Sequence, residues 1–151
     1  VFRLNGNTEM ERQQDLISRY ASPEFQNWKM WVDESLTANI DPTFTMCIGL
    51  AESGLWRNML TENNVWNVWN TDSWDKRIFN TPSEWVYAMV RTLNNRYLWW
   101  YNEIQQLSRY WNTDEPIYAS SPYNWHNNII ICMSSIKWYD VPDDYNFRLI
   151  Q

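Results

Sequence analysis

Glycine is what this sequence most conspicuously lacks. Its 151 residues include three glycines and twelve tryptophans, whereas ordinary glycine usage near 7% would supply about ten or eleven glycines. No glycine-rich phosphate loop is present, which argues against nucleotide chemistry of that kind. Histidine is represented by His126 alone, which argues against a histidine-rich zinc site, a Cys-His nucleophile pair and a Ser-His-Asp triad. Two cysteines are too few for a disulfide framework. Cys47 in FTMCIGLA and Cys132 in IIICMSS sit in apolar contexts that suit buried free thiols, with a single bridge between them as the other outcome. No apolar run approaches the roughly 18 residues of a membrane span. A formal charge of -6 argues against a broad nucleic-acid or anionic-membrane surface. The opening residues, VFRLNGNTEMERQQ, lack the basic head and apolar middle of a secretion signal.

What remains is a chain able to fold around one core. It is 44% hydrophobic and 20% charged, and its length fits one domain of about 100–150 residues. Periodicity predicts a mainly α architecture of five or so helices. A short helix over residues 8–20 has Met10, Leu16 and Ile17 as its modest apolar side and forms an N-terminal flank over 1–21. Ser22-Pro23 then predicts a helix start, with Phe25, Trp28, Val32 and Leu36 at helical spacing as far as Ala38. Asp41-Pro42 predicts the next start, followed by an apolar stripe of Phe44, Cys47, Ile48, Ala51 and Leu55. Periodicity vanishes between about Leu55 and Asn80, a long polar loop with room for a short β-hairpin. Thr81-Pro82-Ser83-Glu84 has capping-box spacing ahead of Val86, Met89, Val90 and Leu93. A shorter helix is expected over Tyr101 to Tyr110, and a last one from Pro122 or Tyr123 to about Ile136, burying Trp125, Ile129, Ile130 and Met133. The tail is expected to be extended.

Among the acids, Glu52 stands apart because it is embedded in a nearly continuous apolar run, CIGLAESGL. Partial burial there would favour its neutral form, which a general acid needs. A solvent-facing helix glutamate is the plainer outcome of the same pattern.

The stretch AESGLWRNMLTENNVWNVWNTDSW resembles the segment around the catalytic glutamate of the lysozyme-like superfamily, in particular the glucosaminidase and lytic-transglycosylase-like domains of phage and bacterial wall hydrolases. Those domains carry E-S-G at a helix end, then N-x-G-N-x-G-N, then a further helix. The resemblance continues through WVYAMVRTLNNRYLWWYNEIQQLSRYWN and IYASSPYNWHNNI, and spans roughly residues 24–148. It implies a lysozyme-like helical domain over residues 22–151 with a long cleft loop, and Glu52 as catalytic acid. Ser53 follows that acid. Asn63, Asn64, Asn67 and Asn70 match the polar loop beside the cleft, while Tyr118, Tyr123 and Asn124 match the Y-A-S-S-x-Y-N motif that faces substrate.

The implied reaction is cleavage of peptidoglycan glycan strands. One protonated carboxyl supplies the leaving oxygen with its proton, and the oxocarbenium-like centre is met by a second carboxylate or by the substrate's own acetamido oxygen. Glu62, Asp72 and Asp75 are acids of the loop, whose plainer role is solvated charge. Neither a metal ion nor an organic cofactor is needed. The implied partner is peptidoglycan or a related N-acetylated glycan, with further domains of a larger protein compatible with it. The implied location is extracellular, periplasmic or virion-associated. The rival expectation is a catalytically inactive glycan-binding or structural domain of a wall-associated or phage protein.

Tryptophan stands where the family pattern has glycine at Trp56, Trp66, Trp69, Trp74, Trp99 or Trp100, and Trp111, and Trp85 and Trp138 fit the same set. Tight turns and left-handed backbone suit glycine, whereas an indole there is bulky and costly. A one-directional exchange together with a glycine deficit is what a gene reading UGA as glycine would yield when translated with UGA as tryptophan. Trp125 belongs to the motif itself and is expected to be genuine.

Overall fold

A computed structural model describes residues 3–53, 80–108 and 122–150. Within them the chain is mainly helical: α1 (Glu9–Tyr20), α2 (Trp28–Thr37), α3 (Pro42–Ser53), α4 (Pro82–Thr92) and α5 (Pro122–Lys137), with 3-10 turns at Pro23–Phe25 and Ile104–Leu107. The loop and hairpin expected between Leu55 and Asn80 lie almost wholly outside the described residues.

Local capping chemistry explains where most helices begin. Thr8 accepts from the Glu11 amide at 3.1 Å to open α1, and Thr81 accepts from the Glu84 amide at 3.1 Å to open α4. Asp41 Oδ1 accepts from the Thr43 amide at 2.9 Å at the start of α3. Each side chain satisfies an amide that has no partner within its own helix.

Two expected elements differ. The helix expected from Ser22 to Ala38 is broken: the 3-10 turn closes with Gln26 N donating to Pro23 O at 3.3 Å, and Asn27 recaps the chain by accepting from the Met30 amide at 3.2 Å. Recapping rotates the helix, so Trp31 and Ser35 turn inward while Leu36 of the expected stripe is exposed. Of the helix expected over Tyr101 to Tyr110, residues 101–108 hold only the turn Ile104–Leu107, and residues 109–110 lie outside the described residues. There the amides of Ile104 and Gln105 donate to Tyr145 O and Asp143 O at 3.1 and 3.0 Å, so the tail takes bonds that a longer helix would have used.

One core joins the elements. Leu16 and Ile17 of α1, Trp31 of α2, Phe44, Cys47 and Ile48 of α3, Trp85, Val86 and Met89 of α4, and Ile129, Met133 and Ile136 of α5 are all buried. Phe25 meets Trp85 edge-on with centroids 5.8 Å apart, and Phe44 stacks on Phe147 of the tail at 4.7 Å. The tail, expected to be extended, makes a turn in which Tyr145 N donates to Pro142 O at 3.1 Å and then forms isolated antiparallel bridges Ile40–Arg148 and Glu103–Asn146. Arg148 fastens it by donating to Leu93 O at 2.7 Å and Tyr101 O at 2.7 Å.

Candidate functional site

Helix α3 is the centre of the molecule, buried on every face from Phe44 to Leu50. Such a helix has apolar residues all round because it has no solvent side. Glu52 and Ser53 stand in its last turn, and Tyr123 and Asn124 in the first turn of α5. The two helices are packed together and covalently joined: Cys47 and Cys132 form a disulfide with Cα atoms 5.6 Å apart. The expectation of free thiols is therefore corrected. Both cysteines lie on the buried stripes through which α3 and α5 face one another, close enough for a bridge. The bridge sits about one and a half helical turns before Glu52. Asn63, Asn64, Asn67, Asn70 and Tyr118, like Glu62, Asp72 and Asp75, lie outside the described residues.

At the opposite end of α3 is a polar cluster that no sequence pattern revealed. Lys137 Nζ, at the end of α5, lies 2.5 Å from Glu9 Oε1 and 3.0 Å from Asp41 Oδ2. Tyr145 donates its hydroxyl to Asp41 Oδ2 at 2.5 Å. Gln13 donates to Thr43 Oγ1 at 2.8 Å and accepts from Trp28 Nε1 at 3.1 Å. Burial works against the Lys137 ammonium, but the charge of Asp41 and hydrogen bonds to Glu9, Tyr145 and Asp41 outweigh it and hold lysine above its usual range. Burial and the Asp41 carboxylate likewise push the Tyr145 phenol up. Both groups keep their protons at neutral pH, so the cluster anchors α1, α3, α5 and the tail rather than shuttling protons. Asp41 was legible only as a cap, and nothing local couples it to residues so distant in sequence.

A second constellation has triad residue types without triad geometry. His126 Nε2 lies 2.7 Å from Asp143 Oδ1, and His126 Nδ1 lies 3.4 Å from Ser108 Oγ. Ser108 and His126 are wholly buried, so no substrate reaches that hydroxyl. The arrangement ties α5 to the Ile104–Leu107 turn and the tail.

An open cleft of about 890 Å³ lies between residues 3–7 and 134–140, with Asn5, Ser134, Trp138 and Tyr139 on its walls. It is at the C-terminal end of α5, while Tyr123 and Asn124 are at the N-terminal end. That helix is sixteen residues long, a span of roughly 24 Å, so this cleft is remote from Tyr123 and Asn124. Among the described residues no three potential metal ligands cluster, and no helix is long and apolar enough to cross a membrane. No family model, no curated protein and no solved structure matches the chain.

Proposed function

We propose that this chain is a lysozyme-like domain, over residues 22–151, that cleaves the glycan strands of peptidoglycan with Glu52 as general acid. The observation that carries the reading is the order of E-S-G, the asparagine-rich loop and Y-A-S-S-x-Y-N along the chain. The helical frame supports it: the glutamate falls in the last turn of the buried α3, disulfide-joined to the helix whose first turn carries Tyr123 and Asn124. The last turn of a helix is its negative end, where the dipole favours a neutral acid over a carboxylate.

In the proposed reaction Glu52 protonates the departing glycosidic oxygen. Positive charge then develops at the anomeric carbon, where the substrate's acetamido oxygen or a second carboxylate meets it. Attack by the sugar's own 6-hydroxyl closes a 1,6-anhydro ring, and attack by water completes hydrolysis instead. Asn63, Asn64, Asn67, Asn70, Tyr118, Tyr123 and Asn124 are assigned to binding acetamido and hydroxyl groups and sugar faces. A buried disulfide supports an oxidising location, extracellular, periplasmic or virion-associated, where wall glycan is met.

Release of soluble fragments from purified peptidoglycan tests the reading. Glu52→Gln is expected to slow release by about 10²–10⁴-fold while leaving the melting temperature near that of the parent. Equal rates for the two proteins, or no release by either, would overturn the enzyme reading. Anhydro ends on the fragments identify transglycosylation. Tryptophan at the motif positions Trp66 and Trp69 favours one second reading, a catalytically inactive glycan-binding domain, which retains peptidoglycan binding without fragment release.

A further inference from the structure

Positive φ is the backbone state that most sharply separates glycine from other residues. Among the described residues it occurs at Gly6, Asn39 and Trp138. Gly6, at φ +135°, has no room for a side chain, since a Cβ there would come within 2.6 Å of Glu11 Cβ. Asn39, at φ 63°, is of the type that tolerates the left-handed state. Trp138, at φ 64°, is not.

Trp138 directly follows the last residue of α5, and its amide donates to Ser134 O at 3.0 Å. That single bond, from the left-handed residue after the helix back to the carbonyl four positions earlier, is the αL termination that glycine ordinarily supplies. Among the described residues the indole finds no packing reason for an exception. It is 62% exposed, and its partner among them, the Arg12 guanidinium 4.0 Å from the ring centroid, is held independently by Ile136 O and Gly6 O.

The other described tryptophans provide the contrast. Trp31, Trp85 and Trp125 are buried in the core, and Trp28 donates to Gln13. Trp85 lies within α4 against Phe25, so the expectation that it belongs with the glycine positions is corrected: glycine there would leave a cavity the size of an indole. Trp99 and Trp100 are exposed and stacked on each other at 4.3 Å, with no positive φ to speak for glycine. Trp138 alone among them combines solvent exposure with left-handed backbone.

We infer that residue 138 is glycine in the protein as its own cell makes it, encoded by a UGA codon read there as glycine, while Trp31, Trp85 and Trp125 are genuine tryptophans. Helix α5 then ends in a strain-free cap. The cleft between residues 3–7 and 134–140 then loses the indole of its wall and keeps Tyr139 there. The inference stands independently of the proposed wall-cleaving activity.

The direct test is the coding sequence together with the mass of the peptide spanning residue 138 from protein isolated from its native source. UGA at 138 with UGG at 31, 85 and 125, and a peptide lighter by the indole side chain, is the expected result. UGG at 138, or tryptophan in that peptide, overturns the inference. The backbone premise has its own test in the full recombinant chain, where Trp138→Gly and Trp138→Ala lose the same indole and differ in whether a Cβ must occupy left-handed space. Trp138→Gly is expected to melt roughly 2–5 °C above Trp138→Ala, the reverse of the order at an ordinary helical site. Equal melting temperatures or the ordinary order would refute the premise.

Discussion

The flank and the N-terminal end of α3 are held by opposite chemistries. Along its flank Cys47 meets α5 through a disulfide and Phe44 meets the tail by stacking on Phe147, contacts that are apolar or covalent and indifferent to protonation. Its N-terminal end meets α1, α5 and the tail through Asp41, Lys137, Glu9 and Tyr145, contacts that depend on charge. A buried helix start has amides to satisfy and a positive dipole end, so a carboxylate such as Asp41 fits there, and its second oxygen needs partners of its own. Side chains on the flank of the helix carry no such demand and suit sulfur and rings. Polar contacts thus set where α3 begins, and apolar and covalent ones hold it laterally.

The largest break in this arrangement is expected from Lys137→Met. It strands two carboxylates, Glu9 and the nearly buried Asp41, without their shared cation, and loss of one partner from a buried ion cluster costs about 3–5 kcal/mol. Urea unfolding measures it, and a loss below about 1 kcal/mol would mean the cluster is screened as a surface pair is. Replacing both Cys47 and Cys132 by Ala comes next. The bridge closes a separation of 85 residues, and removing such a link costs about 2–4 kcal/mol. Reduction of the parent should lower its melting temperature by a similar amount and leave the double variant unmoved. A parent indifferent to reduction would show the apolar seam to be held by packing alone.

These seams were unequally legible. Thr81-Pro82-Ser83-Glu84 and Asp41-Pro42 announced their helices because a cap and its amide lie within three residues of each other. Ser22-Pro23 misled because a second capping residue, Asn27, follows closely and wins, turning Trp31 and Ser35 fully inward while Val32 stays partly buried and Leu36 is exposed. The turn Ile104–Leu107 was overestimated because its competitor, the tail, is some 40 residues away in sequence. The disulfide was undecided because apolar surroundings suit a thiol and a bridge equally, and only distance separates them. The same limit hid the partners of Asp41. For the candidate site, pattern supplied Glu52 and its motif neighbours, and the fold adds the helix ends that carry Glu52, Ser53, Tyr123 and Asn124. The conformation at Trp138 was foreshadowed by the glycine deficit and by its fit to the set of tryptophans at family glycine positions, not by periodicity, since a left-handed residue leaves no periodic trace.

The smallest expected effect concerns the phenol at the polar end of α3. Tyr145→Phe removes one hydrogen bond to the Asp41 carboxylate, a loss of about 1.5 kcal/mol at neutral pH. Its sharper signature is alkaline. The ordinary values are 10.0 for tyrosine and 10.5 for lysine, and both Tyr145 and Lys137 are raised above them in the folded protein. A raised folded value means that the folded state holds protons which the unfolded chain releases. The stability these groups contribute is therefore fully present below about pH 10 and is lost as pH climbs through their folded values. Melting temperature should hold up to that pH and then fall, and Tyr145→Phe should fall less steeply than the parent because one of the two linked protons is gone. Parallel curves for parent and variant above pH 10 would show that Tyr145 titrates alike in the folded and unfolded chains. The polar end of α3 would then be held by the Lys137 ion cluster without the phenol's help.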